Sequence, residues 1–279
     1  MLYLVPTPIG NLEDMTYRAV RVLKEADLIA CEDTRTSRTL LSHFEIKTPV
    51  TSYHEFNKLD KAETLLSKLR EGQDVALITD AGTPGISDPG EELVKFCYDE
   101  GIEVCALPGA CAAITAAVAS GQSTRRLAFE AFLPKDKKER RRVLDEMATE
   151  TRTIILYEAP HHLKSTLQEL EAALGGNRPI TLCRELSKKY EEKDRTTLAD
   201  ALKEYSENRQ PRGEYVLVIA GKGRKEAEAE QQAKWEDIPI QDHLDKYLAE
   251  GYDKKEAMKL MAADRGVSKR EIYQALLDN

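Results

Sequence analysis

The chain of 279 residues has no apolar run approaching the ~20 residues that span a bilayer. Its first residues enter a strand at once, without the basic region and apolar core of a secretory signal. No membrane association is expected, and a cytoplasmic location is. Cysteine is sparse. The five present (Cys31, Cys97, Cys105, Cys111, Cys183) are odd in number, with no CxxC pair and no Cys/His cluster at metal-ligand spacing. Neither a disulfide framework nor a metal site is expected, and the thiols read as reduced and mostly buried. An excess of positive charge is also missing. The 41 basic side chains face 49 acidic ones, for a net charge of −8. Such a protein binds nucleic acid only through local basic patches. The length allows two ordinary domains with sizeable cores.

Glycine and proline, by contrast, are concentrated. The segment Asp80-Ala-Gly-Thr-Pro-Gly-Ile-Ser-Asp-Pro-Gly90 follows a buried-strand pattern, Val75–Thr79. Its composition leaves no room for a helix interior or a strand ladder. A shaped loop at a strand end is expected, where open α/β sheets bind ligands. A similar loop, Pro6–Leu12, follows the strand pattern at Leu2–Val5. Two such loops suggest one ligand clamped between them.

Residues 1–117 alternate strand patterns (Tyr3–Pro6, Leu28–Cys31, Val50–Tyr53, Val75–Thr79, Glu103–Leu107) with helix patterns (Thr16–Ala26, Thr36–Phe44, Lys61–Glu71, Glu91–Glu100). This implies a mostly parallel sheet covered on both faces. Residues 118–223 read as a second α/β domain with more antiparallel character, since hairpin-length links are present. Residues 224–235 are charged and read as a solvated linker or exposed helix. Residues 236–279 suit three short helices resembling a helix-turn-helix, with Asp253 and Ser268 placed as N-caps and Glu256 and Glu271 as their capping-box partners. A stabilising or dimerising appendage would look the same.

Nine motifs occur in order: Val5-Pro-Thr-Pro-Ile-Gly-Asn-Leu12, Glu32-Asp-Thr-Arg35, Ser52-Tyr-His-Glu-Phe-Asn57, Asp80-Ala-Gly-Thr-Pro84 with Ser87-Asp-Pro-Gly90, Leu107-Pro-Gly109, Phe132-Leu-Pro134, Tyr157-Glu-Ala-Pro-His161, Arg184-Glu-Leu-Ser-Lys188 and Arg212-Gly-Glu214. Together they resemble the tetrapyrrole-methylase superfamily (class III methyltransferases). Within it, the chain is similar to the branch that methylates the ribose 2′-oxygen of a cytidine in bacterial 16S ribosomal RNA. The sequence departs from the pattern at Ala110 (usually proline), His162 (often arginine), Phe56 (a second histidine) and Ala131 (glycine).

The resemblance implies two α/β domains with a cleft between them that holds S-adenosyl-L-methionine, a helical C-terminal unit, a homodimer, and 16S rRNA in the small ribosomal subunit as partner. Cofactor contacts are implied at Pro8, Ile9, Gly10, Asp80, Gly82, Thr83, Ile86, Cys111, Ala112, Tyr157 and Val216. Cys111, Ala112 and Val216 are equally suited to core packing. A sulfonium methyl is already activated, so no metal is required. Catalysis rests on placing the oxygen in line and on a general base or a cation favouring the alkoxide. Glu32, Asp33, Arg35, Glu185 and Lys188 are the catalytic candidates, with Asp88 and Glu158 as further carboxylates. Any of them could instead form an intra-protein ion pair, and the sequence does not name the base. For RNA, the stretch Lys135-Asp-Lys-Lys-Glu-Arg-Arg-Arg142 offers Lys135, Lys137, Lys138, Arg140, Arg141 and Arg142 as phosphate contacts, with Lys188, Lys189, Arg209 and Arg212 as extensions of the patch. A solvated helix start would look alike. Residues 236–279 hold ten acidic against seven basic side chains, so their contact with RNA is hypothetical. Two other readings stay open: a small-molecule methyltransferase of the same fold, and a nucleic-acid-binding regulator that uses the terminal helices.

Overall fold

The computed structural model describes residues 1–278. One compact unit comprises Met1–Leu144 and Thr153–Ala220; the other comprises Asp145–Arg152 and the chain from Gly221 onward. No described helix is long and apolar enough to cross a membrane.

The chain runs β1 (Leu2–Leu4), α1 (Tyr17–Glu25), β2 (Leu28–Cys31), α2 (Thr34–His43), β3 (Val50–Ser52), α3 (Lys58–Arg70), β4 (Val75–Ile78), α4 (Gly90–Asp99), β5 (Val104–Ala106) and α5 (Ala112–Ala119). Then follow β6 (Leu127–Ala131), α6 (Lys137–Thr149), β7 (Thr153–Glu158), α7 (Pro160–Leu174), β8 (Pro179–Arg184), β9 (Glu192–Thr197), α8 (Leu198–Glu207) and β10 (Tyr215–Ile219). The last elements are α9 (Arg224–Glu236), α10 (Ile240–Ala249), α11 (Lys254–Arg265) and α12 (Lys269–Leu277).

The first sheet is parallel throughout, in the order β3-β2-β4-β1-β5. The inner strands β2 and β4 are continuous apolar runs because both faces are covered. Ala30 and Leu77 turn towards Ala62, Leu65 and Leu93 of α3 and α4. Their neighbours Ile29, Cys31, Ala76 and Ile78 turn the other way, towards Val22, Leu23 and Leu41 of α1 and α2. This is the alternation a pleated strand imposes. Helix ends follow local chemistry. Thr16 caps α1 through its hydroxyl, and Gly72 and Gly101 take positive φ just past α3 and α4.

The second sheet runs β6-β7-β10-β8-β9. β6 pairs with β7 in parallel and the remaining pairs are antiparallel. Helix α5, although it follows the first sheet, lays Ala113, Ala116 and Ala117 on Ile155, Cys183, Val216 and Val218 of the second. Its small residues allow that close approach. All five cysteines are free. Burial pushes the Cys97 and Cys183 thiols up to about 11, which leaves them unreactive at neutral pH.

The charged stretch after Gly223 is helical, as α9. Helices α10–α12 enclose a core of Leu244, Ala257, Met258, Met261, Ala262 and Ile272. Gly266 ends α11 in the left-handed region, and Ser268 with Glu271 closes a full capping box on α12. Asp253 caps α11 by accepting from the Glu256 N–H.

His243 is fully buried in this unit. Its ring stacks on Trp235 at 3.6 Å. Arg265 Nε donates to Nδ1 at 3.1 Å, so the ring proton sits on Nε2 and reaches Asp264 at 3.2 Å. Burial holds the His243 pKa below its usual value. The Arg265 and Lys246 charges add to that, and Asp264 opposes it. As pH falls below about 6.5, the unfolded chain therefore takes a proton that the folded one refuses, and stability is lost. Trp235 is the sole tryptophan, so its fluorescence reports on this unit. The urea midpoint it records is expected to drop between pH 7 and 5. A constant midpoint would show that His243 titrates as in the unfolded chain.

Candidate active site

The two glycine- and proline-rich loops meet because β1 and β4 are neighbours in the sheet. Loops leaving the C-terminal ends of paired parallel strands lie side by side. Thr7 and Gly82 exchange backbone hydrogen bonds of 2.9 and 3.0 Å. The Thr83 hydroxyl donates to the Ala110 carbonyl at 2.8 Å, which ties in the turn before α5. Within the second loop, Asp88 accepts from the N–H groups of Gly85 (2.9 Å) and Gly90 (2.8 Å). Asp88 thus shapes the loop, and its carboxylate is committed there rather than to proton transfer. Gly82 adopts φ +90°, a region open to glycine without steric cost.

These loops wall a cavity of about 370 Å³, a size suited to a nucleoside-like ligand. Ile9, Ala81, Gly82, Thr83 and Ile86 come from the loops, and Cys111 and Ala112 from the start of α5. The second sheet contributes Phe132, Tyr157 to Pro160, Cys183, Glu185, Leu186, Lys188 and Glu214 to Val216. Tyr157 supplies an aromatic wall together with Phe132, at 5.6 Å between ring centroids. Its hydroxyl accepts from the Ala113 N–H at 3.2 Å and so stands in for the missing side-chain cap of α5. Burial pushes that hydroxyl up to about 12, so it keeps its proton.

The charged end of the cavity is a three-residue group. Lys188 Nζ lies 3.0 Å from Glu185 and 2.7 Å from Glu214. Burial pulls the Lys188 pKa down, but the hydrogen bonds its ammonium donates to Glu214 and Glu185 outweigh it and the net shift is upward. Burial also pushes Glu185 up, yet the Glu214 N–H and the Lys188 contact carry it below the usual carboxylate range. Lys188 is therefore a fixed cation at neutral pH. Two glycines make the group possible. A Cβ on Gly10 would sit 2.4 Å from Lys188 Cγ, and one on Gly213 2.5 Å from Glu185 Cγ.

Of the residues singled out in the sequence, Ile9, Gly82, Thr83, Ile86, Cys111, Ala112, Tyr157, Val216, Glu185 and Lys188 are brought together around this cavity. Pro8 and Asp80 flank lining residues without lining it themselves. Gly10 lies in an adjoining groove. Glu32, Asp33 and Arg35 do not line the cavity. They stand past β2, where Asp33 caps α2 and pairs with Arg35 at 3.0 Å. The Asp33 N–H reaches Asp80 at 3.2 Å. Glu32 has its pKa raised by burial and then by Asp80 and Asp88. Glu158 is buried, accepting from the Ala159 N–H and the Thr166 hydroxyl. In the basic stretch, Lys135, Lys137, Lys138, Arg141 and Arg142 are exposed. Arg140 corrects the expectation of six phosphate contacts. It turns inward to Glu169 and Thr166, bridging α6 to α7, because a guanidinium beside a facing carboxylate pairs with it. Glu214 and Phe132 were not among the expected site residues. The signal for both was their place inside the motifs Arg212–Glu214 and Phe132–Pro134.

Ala131, where the resemblance places glycine, has φ +51° in a β-bulge. Ala131→Gly is expected to stabilise the protein by up to about 1.5 kcal/mol. This is the ~1–2 kcal/mol relief of left-handed strain less glycine's ~0.5–1 kcal/mol entropic cost. A denaturation midpoint that stays or falls would refute it.

Residues 1–202 match the family described as Tetrapyrrole (Corrin/Porphyrin) Methylases. Ribosomal RNA small subunit methyltransferase I of Halalkalibacterium halodurans is 50% identical over 272 residues, covering 98% of this chain and 93% of that one. The protein of the same name from Bacillus subtilis is 47% identical, covering 99% and 93%. Among solved structures, uroporphyrin-III-C-methyltransferase from Thermus thermophilus superposes with a TM-score of 0.56 at 21% identity, over 78% of this chain and 93% of that one. Diphthine synthase does so with a TM-score of 0.62 at 13% identity, over 78% and 89%. These two likenesses concern the fold alone.

Proposed function

Because the chain belongs to the tetrapyrrole (corrin/porphyrin) methylase family, we propose that it is a cytoplasmic S-adenosylmethionine-dependent methyltransferase acting on ribosomal RNA of the small subunit. Its target on this reading is the ribose 2′-oxygen of a cytidine in 16S rRNA. The observation that carries it is 50% identity across 98% of the chain with a relative bearing that name.

The cavity's residues fit S-adenosylmethionine. Apolar walls at Ile9, Ile86, Tyr157 and Val216 suit a flat ring. Backbone groups at Gly82, Thr83, Cys111 and Ala112 suit a ribose and an amino acid. The positive N-terminal end of α5 favours a carboxylate, and the net negative charge of the Lys188, Glu185 and Glu214 group favours a cation. When bound, S-adenosylmethionine supplies a methyl group on a sulfonium. Lys188 keeps its proton, so it acts on an incoming hydroxyl as a donor that stabilises developing negative charge. Glu214, the most exposed carboxylate of the group at 79%, is placed to receive the hydroxyl proton. The exposed apolar side chains Ile114 and Val118 on α5 are the surface a second copy would cover in a homodimer, which light scattering would detect.

The test is transfer of labelled methyl to 30S subunits lacking the modification, followed by nuclease digestion and mass spectrometry. A single 2′-O-methylcytidine is expected. Tight cofactor binding without transfer would overturn the RNA assignment in favour of a small-molecule substrate.

A further inference from the structure

Lys188 lines the cavity and also an open groove beside it, whose other walls are Gly10, Asn11, Leu12, Ser187 and Lys189. Lys188 is therefore shared by the cavity wall and the solvent-open groove. The groove is preformed. Glu185 and Ser187 hold positive φ in the turn that carries Lys188, the Ser187 N–H donates to Glu191 at 2.6 Å, and the Ser187 hydroxyl donates to Asp14 across the groove. Neighbouring cations are engaged. Arg184 and Arg209 pair with Glu192, and Lys193 with Glu191. Lys189 is different. It is exposed, and among the described residues no carboxylate pairs with it. Its ammonium lies 5.5 Å from the centroid of the Tyr190 ring, which is itself 64% exposed.

A cation without a carboxylate partner beside an exposed aromatic ring is the combination that holds single-stranded nucleic acid, one on phosphate and the other on a base face. A ribose oxygen can reach a walled cavity only if its nucleotide leaves a duplex. Resting on the functional reading above, we propose that this groove carries the single-stranded RNA segment that bears the target nucleotide. Lys189 contacts a backbone phosphate and Tyr190 stacks on an unpaired base.

The experiment uses the full chain, 30S subunits lacking the modification, a series of salt concentrations and calorimetric cofactor titration. Tyr190→Ala is expected to raise KM for subunits roughly 5- to 100-fold, and Tyr190→Phe, which keeps the ring, to hold the wild-type value. Lys189→Gln is expected to flatten the slope of log(kcat/KM) against log salt by about 1. All three variants should bind S-adenosylmethionine as the wild type does. Wild-type protein that transfers no methyl to subunits would overturn the functional reading. An active wild type with Tyr190→Ala and Lys189→Gln at wild-type KM and slope would overturn the groove alone. Equal losses in Tyr190→Phe and Tyr190→Ala would overturn stacking.

Discussion

Lys188→Met is expected to lower kcat for methyl transfer by ~10²–10³-fold, the usual cost of losing one donor aimed at developing charge. Affinity for S-adenosylmethionine should change far less, since the apolar walls and loop backbones that suit it are untouched. The effect is large because the ammonium is charged and immobile. Glu185 and Glu214 grip it at 3.0 and 2.7 Å, and Gly10 leaves space for its stem to pass. The substitution also leaves two carboxylates without their shared cation, which works against any alkoxide nearby. The raised pKa of Lys188 fixes the pH dependence. A group shifted upward keeps its charge throughout the range below its unfolded value, so the wild-type rate should show no loss from Lys188 between pH 7 and 9. Single-turnover kinetics with saturating cofactor give the comparison. A kcat within threefold of wild type would remove Lys188 from the chemistry.

Gly213→Ala is expected to cost about 2–5 kcal/mol of stability. Left-handed backbone accounts for ~1–2 kcal/mol of that and overpacking for ~1–3. Gly213 sits at φ +74°, and a Cβ there would meet Glu185 Cγ, Cδ and Oε1 at 2.5–2.7 Å. Glu185 cannot retreat easily, because its backbone N–H donates to the Glu214 carbonyl and its carboxylate accepts the Glu214 N–H, both at 2.9 Å. Methyl transfer should fall as well, through the displaced partner of Lys188. Urea unfolding followed by far-UV circular dichroism measures the stability loss. An unshifted midpoint would mean that the turn relaxes freely.

Much of the fold was legible in the sequence for a local reason. Thr16 before an apolar-periodic run, Gly72 and Gly101 after one, and Ser268 with Glu271 each satisfy hydrogen-bonding groups within a few residues. Their effect does not depend on distant chain. The inner strands β2 and β4 announced themselves as unbroken apolar runs because both faces are buried. The loops after β1 and β4 were marked by glycine and proline, whose backbone preferences are their own.

The site was legible in part. The loop and α5 residues it uses could be named, because they share short motifs. Glu32, Asp33 and Arg35 belong to an equally conspicuous motif, yet they stand apart from the cavity in an acidic group with Asp80. Phe132 and Glu214 reach it from just beyond the ends of β6 and β10, far apart in sequence. Arg140 looked like a phosphate ligand and is held by Glu169 instead. Which charge meets which depends on strand order and on how α5 crosses to the second sheet.

The sequence by itself determined the elements, their caps, the two shaped loops and the absence of a long apolar span, since each follows from interactions between near neighbours. The tertiary structure alone decided that Lys188 faces Glu185 and Glu214, that Tyr157 caps α5, and that Lys189, with no carboxylate partner among the described residues, lines the adjoining groove next to the exposed Tyr190 ring. Those contacts join residues separated by up to 44 positions, and only the packed sheets bring them within reach.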